Sequence, residues 1–285
     1  EMHPSIIPLL EEAGFIPDYQ PLITEKEVIE KIEQYTGLLV RSKIFIDKPI
    51  LEKAKNLRFI ARAGAGMDQI VEDEVRLRNI LLVNAPEGNR DAVAEHMIGM
   101  LLALMNNLLV ADQQIRNGIW LREENRGFEV GGKTVAIIGY GNNGKAFAKK
   151  IKGFDCEILA YDIAHHGGDE NATLSDMATI YEKADIISFH VPLTDITNRM
   201  VNKAYLNKFR KKIWLLNASR GQVVVLNDLV EAIDEGKIYG AGLDVLENEK
   251  LDKFKKEDQD TYSALINHKK ILLSPHVAGW THESY

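Results

Sequence analysis

In the first third of the chain, short apolar segments alternate with amphipathic ones. Gly, Pro and Asn bound the apolar segments, which is typical of strands in βαβ units. The predicted strands are Gly37–Val40, 57–61 and 80–83, and the predicted helices are 25–35, 49–55 and 70–78. This pattern predicts a small parallel sheet whose strands end near Arg41, Arg62 and Asn84, and we expect one further strand before Glu1.

A long apolar helix and a second set of strands follow. Residues 91–107 are apolar on nearly every face, which predicts a helix buried between domains or subunits. The continuous apolar segment 133–139 is typical of a central strand in a parallel sheet. The later predicted strands are 157–161, 186–190, 213–217, 239–243 and 271–274. We therefore predict two α/β domains, one of residues 1–89 to which 280–285 return, and one of residues 90–279.

Composition narrows the class of protein. The chain has 285 residues, of which 45% are hydrophobic and 27% charged, as in ordinary globular proteins. The net charge of −7 includes no basic stripe, so nucleic acid is not an expected partner. Cys156 is the single cysteine, and its apolar surroundings predict a buried, inert thiol in a reducing cytoplasm. Because neither a membrane-spanning segment nor a signal-peptide pattern is found, membrane insertion and secretion are not expected.

A glycine-rich segment follows the central predicted strand. Residues 139–144 read GYGNNG, which is the spacing of a dinucleotide-binding loop. Gly139 permits the tight turn, Gly141 lets backbone N–H groups approach a pyrophosphate, and Gly144 allows close helix packing. Asp162 ends the next predicted strand, where a carboxylate accepts hydrogen bonds from the ribose hydroxyls. These features predict NAD rather than NADP as the cofactor.

The same residues have a plainer interpretation, as a glycine-rich turn of another α/β protein with a solvated strand end. Asn142 and Asn143 are predicted to contact the cofactor with the glycines, although the position of Asn143 usually holds an apolar residue. His165 and His166 are the candidate cations near Asp162, and we interpret them as surface turn residues. They lack further ligands at suitable spacing, so no metal site is predicted.

Three further motifs end later predicted strands. They are NASRG at residues 217–221, GAGLDVLENE at 240–249 and SPHVAG at 274–279. Arg220, Asp244 and His276 therefore fall at the carboxyl edge of the sheet, where open α/β sheets bind ligands. Reduction of a 2-keto acid requires a cation for the carboxylate, a proton donor, and a group that keeps the donor protonated. Arg, His and Glu can supply these, although each motif alone could also be an ordinary turn.

At these motifs the chain resembles the D-isomer-specific 2-hydroxyacid dehydrogenase family, which includes phosphoglycerate dehydrogenase and glyoxylate/hydroxypyruvate reductase. The resemblance covers nearly the whole chain, including residues 62–68, 83–89, 93–96 and 190–194. It implies that Arg220 binds substrate, that His276 is the acid and base, and that Glu249 pairs with His276. It also implies that Asp244 contacts the nicotinamide side of the cofactor.

The resemblance assigns further contacts. The backbone of His190 is expected to line the cofactor groove, and Pro192 and Ala218 are further predicted cofactor-binding residues. The backbone amides of Ala63, Gly64, Ala65 and Gly66 are expected to grip the substrate carboxylate. His96 lies in the apolar helix and is interpreted as a core or interface histidine.

The assignment of Glu249 rather than Glu247 is less direct. Family members commonly have Pro after the catalytic Glu, whereas Lys250 stands there in this chain. The choice of Glu249 therefore rests on its position five residues after Asp244. The dense charges of residues 247–270 are interpreted as a solvated connection.

The resemblance implies a Rossmann NAD-binding domain inserted into a flavodoxin-like substrate domain, in a homodimer built on the apolar helix and the segment with Trp120. The expected activity is hydride transfer between NAD and a D-2-hydroxy or 2-keto acid. Arg41 and Arg62 resemble the phosphate-binding arginines of phosphoglycerate dehydrogenases, which favours 3-phosphoglycerate, but both could be ordinary strand-end arginines. A glyoxylate/hydroxypyruvate reductase and a non-enzymatic, NAD-sensing protein like the family's corepressors remain alternatives, whereas Glu249 argues against a formate dehydrogenase.

Overall fold

A computed structural model describes residues 2–164, 167–249 and 259–284. The chain divides into two units, Glu1–Asn89 with His282–Tyr285, and Arg90–Thr281. The second unit is thus an insertion in the sequence of the first. Each unit is α/β with a parallel sheet, so the predicted fold class is confirmed.

The first unit contains a three-stranded parallel sheet in the order β1-β2-β3. Its strands are β1 (Gly37–Val40), β2 (Phe59–Arg62) and β3 (Leu81–Asn84). Its helices are α1 (Ile6–Glu12), α2 (Glu25–Lys31), α3 (Lys48–Lys53) and α4 (Glu72–Leu77). Val40 pairs with Arg62, and Arg62 pairs with Asn84, so the three strands end at one level. The strand expected before Glu1 stays a prediction.

Local signals explain where these helices begin. The Thr24 side chain accepts a hydrogen bond from the Glu27 backbone N–H, and the Glu27 carboxylate accepts from the Thr24 N–H, which forms a capping box. The helix predicted over residues 25–35 ends earlier, because the chain tightens into a 3-10 turn at Ile32–Gln34. Asp47 caps α3, whose first turn contains Pro49.

The second unit has a seven-stranded sheet in the order β10-β9-β8-β7-β4-β5-β6, with parallel pairing throughout. The strands are β4 (Thr134–Ile138), β5 (Glu157–Tyr161), β6 (Thr173–Leu174), β7 (Ile186–Phe189), β8 (Ile213–Asn217), β9 (Ile238–Leu243) and β10 (Ile271–Leu273). The helices are α5 (Arg90–Met105), α6 (Leu108–Arg116), α7 (Asn142–Ile151), α8 (Met177–Lys183), α9 (Lys203–Leu206), α10 (Leu226–Asp234) and α11 (Gln259–Asn267). All six predicted strands are confirmed, whereas β6, α6 and α11 were not predicted.

The order of the strands places a ligand site. From β4 the chain builds β5 and β6 on one side and then returns to add β7 through β10 on the other. The strand order therefore reverses between β4 and β7, and open α/β sheets bind ligands at the carboxyl ends of strands at such a switch point. All five residues of β4 are buried, as its continuous apolar sequence predicts.

The apolar helix α5 is used within the second unit. Its buried residues are Val93, Ala94, Met97, Met100, Leu101 and Met105, and it contacts α7, β8 and β9. Lys150 of α7 forms ion pairs with Asp91 and Glu95 at the start of α5. Within the described residues, no single helix is long and apolar enough to span a membrane. The helices α5 and α6 meet the length and composition criteria only when they are taken together, and they are bent by 60° relative to each other.

Candidate active site

The glycine-rich loop joins β4 to α7 at the switch point. Gly139 has a φ of +92°, and a Cβ added there would lie 2.5 Å from the carbonyl oxygen of His190, so only glycine fits. A Cβ on Gly144 would overlap the Gly139 carbonyl, which explains the close packing of α7. Gly141 is the N-cap of α7 and borders open space. A helix N-terminus that faces a cradle free of side-chain atoms fits a pyrophosphate group.

Asp162 is linked to this loop. Its carboxylate accepts hydrogen bonds from the Tyr140 N–H at 2.6 Å and from the Ala164 N–H at 2.7 Å. The predicted ribose-binding carboxylate thus lies directly beside the glycine-rich loop. His165 and His166 lie outside the described residues.

Tyr140 occupies the second position of the loop and is fully buried. Its hydroxyl donates to Asp169 at 2.7 Å. Burial, and then this hydrogen bond, raise the pKa of Tyr140 well above its usual range, so the hydroxyl remains a donor at neutral pH. This tie between the loop and the segment before β6 was not predicted from the sequence.

The two asparagines of the loop differ. Asn142 is exposed at the first position of α7, whereas the side-chain oxygen of Asn143 is buried without a hydrogen-bond partner among the described residues. A buried, unpaired amide oxygen costs about 1–3 kcal/mol. Asn143, in place of the usual apolar residue, therefore puts an unpaired polar atom into a buried position of the loop.

His190 lies at the end of β7, directly across from the loop. Its N–H donates to the Ile138 carbonyl at 2.7 Å, and its ring contacts Phe147 and the Ser188 hydroxyl. Burial lowers the pKa of His190 to about 4, so its imidazole stays neutral at physiological pH. Two residues later, the carbonyl of Pro192 accepts a hydrogen bond from the Thr197 hydroxyl at 2.6 Å.

Arg220 follows β8 in a turn that the buried side chain of Asn217 organises. The Asn217 side-chain oxygen accepts from the backbone and hydroxyl of Ser219, and its amide donates to the Arg220 carbonyl at 3.0 Å. Ala218 is half-buried within this turn. The Arg220 guanidinium donates to the Ser219 carbonyl at 2.6 Å.

Asp244 follows β9 and is 1% exposed. One carboxylate oxygen accepts from the Ser274 hydroxyl at 2.6 Å and from the Val277 N–H at 2.9 Å, and the other accepts from the Ala278 N–H at 2.9 Å. The His276 N–H donates to the Asp244 carbonyl at 2.8 Å. In the structure Asp244 thus holds the turn that carries His276, while its predicted contact to the nicotinamide stays a prediction.

His276 and Glu249 form a pair. The Nδ1 atom of His276 lies 3.0 Å and 3.1 Å from the two carboxylate oxygens of Glu249. The two side chains are 49% and 48% exposed, so solvent screens the pair. His276 has a φ of +55°, which is uncommon for a residue other than glycine and is found at functional sites.

Glu247, the alternative acid, is engaged elsewhere. Its carboxylate pairs with the Arg199 guanidinium at 2.9 Å and accepts from the Leu226 N–H at 3.2 Å. It therefore caps the start of α10, which has no side-chain cap of its own at Val225. The geometry brings Glu249, not Glu247, to His276.

The charged segment before β10 is more than a solvated connection, which corrects that interpretation. Residues 250–258, including Lys250, lie outside the described residues. The residues that follow form α11, and its Tyr262 and Leu265 are buried. The predicted site residue Glu249 lies at the start of the same segment.

In the first unit, the predicted arginines end neighbouring strands. Arg41 directly follows Val40 of β1, which pairs with Arg62 at the end of β2. The Arg62 guanidinium donates to the Ala63 carbonyl at 2.8 Å, and its side chain passes over Gly64, which has a φ of +138°.

The loop after β2 is held through its carbonyl groups. The Gly64 carbonyl accepts from the Ala85 N–H at 3.1 Å, and the Ala65 carbonyl accepts from the Asn84 side chain at 2.7 Å. The Ala63 N–H continues the strand pairing by donating to Val40. The N–H groups of Gly64, Ala65 and Gly66 stay the predicted donors to the substrate carboxylate.

Two side chains near His276 were not among the predicted site residues. Ser274 joins Asp244 to His96 of α5, because the Ser274 hydroxyl lies 2.6 Å from the Asp244 carboxylate and 2.9 Å from the His96 Nε2. The sequence signal was the position of Ser274 directly before Pro275 and His276. His96, interpreted as a core or interface histidine, is partly exposed and bonds to this site.

A parallel sheet with a glycine-rich loop at its switch point, together with an acid beyond the next strand, defines a dinucleotide-binding α/β protein. Residues 98–278 match the family model described as D-isomer specific 2-hydroxyacid dehydrogenase, NAD binding domain. The chain belongs to this family of NAD-dependent oxidoreductases, and its second unit contains the NAD-binding domain.

Individual relatives agree with this assignment. The chain is 34% identical over 265 residues to D-3-phosphoglycerate dehydrogenase of Archaeoglobus fulgidus, covering 92% of this chain and 49% of that protein. It is 36% identical over 275 residues to glyoxylate reductase of Thermofilum pendens, covering 94% and 78%. The chain thus spans about half the length of that phosphoglycerate dehydrogenase. A D-lactate dehydrogenase structure from Aquifex aeolicus, complexed with NAD and lactic acid, matches in fold with a TM-score of 0.82, 24% identity, and coverage of 99% and 89%.

Proposed function

We propose that the chain interconverts a D-2-hydroxy acid and the corresponding 2-keto acid with NAD as the redox cofactor. The observation that carries this proposal is the pair formed by Glu249 and His276. This pair, Arg220 and the glycine-rich loop all follow the carboxyl ends of strands in the same parallel sheet. The nicotinamide donates or accepts the hydride when it is bound. Arg220 is assigned to bind the substrate carboxylate and to polarise the carbonyl.

His276 is assigned to exchange the proton of the substrate oxygen. Its Nδ1 faces Glu249, so Nε2 is the nitrogen available to the substrate. In the reducing direction, an imidazolium N–H protonates the oxygen as negative charge develops on it. The Glu249 carboxylate lies against the Nδ1 atom and fixes the orientation of the imidazole, but it does not itself react.

The proposed first substrate is 3-phosphoglycerate, with phosphohydroxypyruvate as its keto acid. Arg41 and Arg62 support this choice, because Arg62 ends β2 and Arg41 directly follows Val40, its partner in the neighbouring strand β1. Two guanidinium groups can make bidentate, charge-assisted hydrogen bonds to a phosphate. A glyoxylate or hydroxypyruvate reductase is the second candidate, favoured by the 36% identity to a glyoxylate reductase.

We expect Arg41→Ala to lower kcat/KM for phosphohydroxypyruvate by about 10- to 100-fold, the effect of losing a hydrogen bond to a charged group. The value for hydroxypyruvate, which has no phosphate, is expected to change less than about twofold. NADH oxidation with both substrates measures this. Arg58→Ala is the matched control, because Arg58 precedes β2 and lies at the opposite end of the strand from Arg62. If the wild type has equal kcat/KM for the two keto acids, and if Arg41→Ala changes neither value, then the proposed phosphate recognition is wrong.

The cofactor preference is expected to depend on Asp162. Its carboxylate accepts ribose hydrogen bonds and repels the 2′-phosphate of NADP. We expect Asp162→Asn, which removes the charge but retains an acceptor for the Tyr140 N–H, to narrow the preference for NADH over NADPH by about tenfold, or roughly 1.4 kcal/mol. Steady-state kinetics with both cofactors measure the ratio. A wild-type chain that uses NADPH as readily as NADH would contradict this assignment.

The turnover assay also separates catalysis from NAD sensing. A non-enzymatic, corepressor-like protein would bind NADH but oxidise it with none of the simple 2-keto acids. We expect turnover with at least one of phosphohydroxypyruvate, hydroxypyruvate, glyoxylate and pyruvate. NADH binding without turnover across this panel would instead favour the sensor.

The homodimer is part of the proposal. Beyond α5 the second unit exposes apolar side chains: Leu108, Leu109, Ile115, Ile119, Trp120 and Leu121. Trp120 is 80% exposed. A cluster of exposed large apolar residues marks an interaction surface, and a second copy of the chain is the proposed occupant. Sedimentation analysis of the purified chain tests this assignment.

A further inference from the structure

The hydroxyl of Tyr262 holds the backbone of a single residue from two sides. It accepts a hydrogen bond from the Asn248 N–H at 2.8 Å and donates one to the Asn248 carbonyl at 3.0 Å. A tyrosine hydroxyl has one donor and two acceptor sites, so it can make both bonds at once. Asn248 directly precedes Glu249, so this attachment lies one peptide unit from the residue that contacts His276.

The aromatic ring of Tyr262 is itself fixed by packing. Tyr262 is 5% exposed and belongs to the main core cluster of the second unit, together with Leu265, Leu229 and Ile233. Tyr262 and Leu265 are three residues apart in α11 and therefore lie on one face of the helix, which contacts α10. The hydroxyl thus extends from a rigid support to the loop after β9.

The same loop has a second attachment at the neighbouring residue. The Glu247 carboxylate accepts from the Leu226 N–H at the start of α10 and pairs with Arg199. Two consecutive residues are therefore tied to helices that pack in the core. The Glu249 carboxylate itself is half-exposed and pairs with His276.

We propose that Tyr262 is a positioning residue for the proton-transfer pair: its hydroxyl fixes Asn248 so that the Glu249 carboxylate remains against His276. This inference rests on the proposed function and extends it to a residue outside the motifs. Both hydrogen bonds of the Tyr262 hydroxyl are to Asn248, so the proposal requires that its effect pass through the neighbouring Glu249. That requirement makes the inference testable by a double-mutant cycle.

The main variant is Tyr262→Phe, which retains the buried ring and removes only the hydroxyl. We expect kcat for the best keto acid of the panel to fall by roughly three- to tenfold, the rate effect of losing one ordinary hydrogen bond. KM is expected to change less than about twofold, because Arg220 is assigned to hold the carboxylate. Tyr205→Phe is the control, since it removes another buried tyrosine hydroxyl in the same core cluster, away from Asn248.

The cycle combines Tyr262→Phe with Glu249→Gln. If Tyr262 acts through Glu249, the hydroxyl deletion has little further effect on kcat in the Glu249→Gln background. An equal loss in both backgrounds would mean a general structural role and would overturn the proposal. Unchanged kcat in a well-folded Tyr262→Phe variant would overturn it too.

Two measurements on the ligand-free protein do not depend on catalysis. With ¹³C-labelled histidine, the His276 imidazole resonance, assigned with His276→Ala, is expected to shift in Tyr262→Phe toward its position in Glu249→Gln. In the wild type, the hydrogen of the Asn248 amide is expected to exchange with solvent at least about 100-fold more slowly than an amide hydrogen in an open loop. The reason is that exchange requires the hydrogen bond from the Asn248 N–H to the Tyr262 hydroxyl to break. If both results are obtained but no keto acid is turned over, only the proposed function is wrong. If the Asn248 amide is unprotected, or if the His276 resonance does not shift in Tyr262→Phe, the role proposed for Tyr262 is wrong.

Discussion

Replacement of His276 by alanine is expected to lower turnover of the 2-keto acid by at least about 100-fold, the usual contribution of a general acid. The physical reason is the position of its imidazole, with Nδ1 against Glu249 and Nε2 left for the substrate oxygen. NADH affinity should change little, because the loop and Asp162 form the assigned cofactor contacts. Stopped-flow kinetics and NADH fluorescence titration measure the two quantities separately.

The backbone of His276 calls for a second variant. Its φ of +55° is better tolerated by asparagine than by alanine, so His276→Asn tests loss of the imidazole with less strain in the turn. His268→Ala is the matched control, since His268 precedes β10 and His276 follows it, at opposite edges of the sheet. Both His276 variants should lose turnover and the control should not. Near-normal turnover in His276→Asn would mean that another group transfers the proton.

A methyl group at Gly141 is expected to weaken NADH binding by at least about tenfold, or roughly 1.4 kcal/mol, without destabilising the ligand-free protein. A Cβ built at this residue meets nothing within 4 Å, so the fold should accept alanine. It would nevertheless occupy the space through which a pyrophosphate approaches the backbone N–H groups of α7. Isothermal titration with NADH and a thermal melt without it measure the two effects.

Two other glycines calibrate this result. Gly153→Ala also places its Cβ in open space, but away from the loop, and should alter neither affinity nor stability. Gly144→Ala should lower both, because its Cβ would overlap the Gly139 carbonyl and α7 would have to move. Unaltered NADH affinity in Gly141→Ala would place the pyrophosphate elsewhere.

The sequence was sufficient for the fold class and for most strands, because buried parallel strands have a distinctive continuous apolar sequence. The central strand β4 was found within one residue at each end, since all of its positions are buried. The short edge strand β6 was missed, because two residues with partial exposure carry no such signal. Helix α11 was hidden by its surroundings: only Tyr262 and Leu265 are buried, within a segment dominated by charge.

The site was partly predictable for a similar reason. Strand-end motifs identified Arg220, Asp244 and His276, because residues after parallel strands must gather at one edge. The sequence could not reveal that the Asp244 carboxylate binds Ser274 and the turn of His276, since those bonds join residues about 30 positions apart. It also could not distinguish Glu249 from Glu247, because both are glutamates. The difference is structural: the Glu247 carboxylate caps the start of α10 and so is held away from His276.

The insertion of one unit within the sequence of the other has a consequence for how new specificities arise. On the proposed roles, the proton-transfer pair and the dinucleotide loop are encoded in one uninterrupted segment, Arg90–Thr281, whereas the phosphate-binding arginines belong to Glu1–Asn89. Selection for a new 2-hydroxy acid substrate can then change the sequence outside the inserted segment, while the residues of the chemical step are inherited unaltered. Members with different substrates would diverge fastest outside the inserted segment, and chimeras joined at its two ends would exchange specificity as a module.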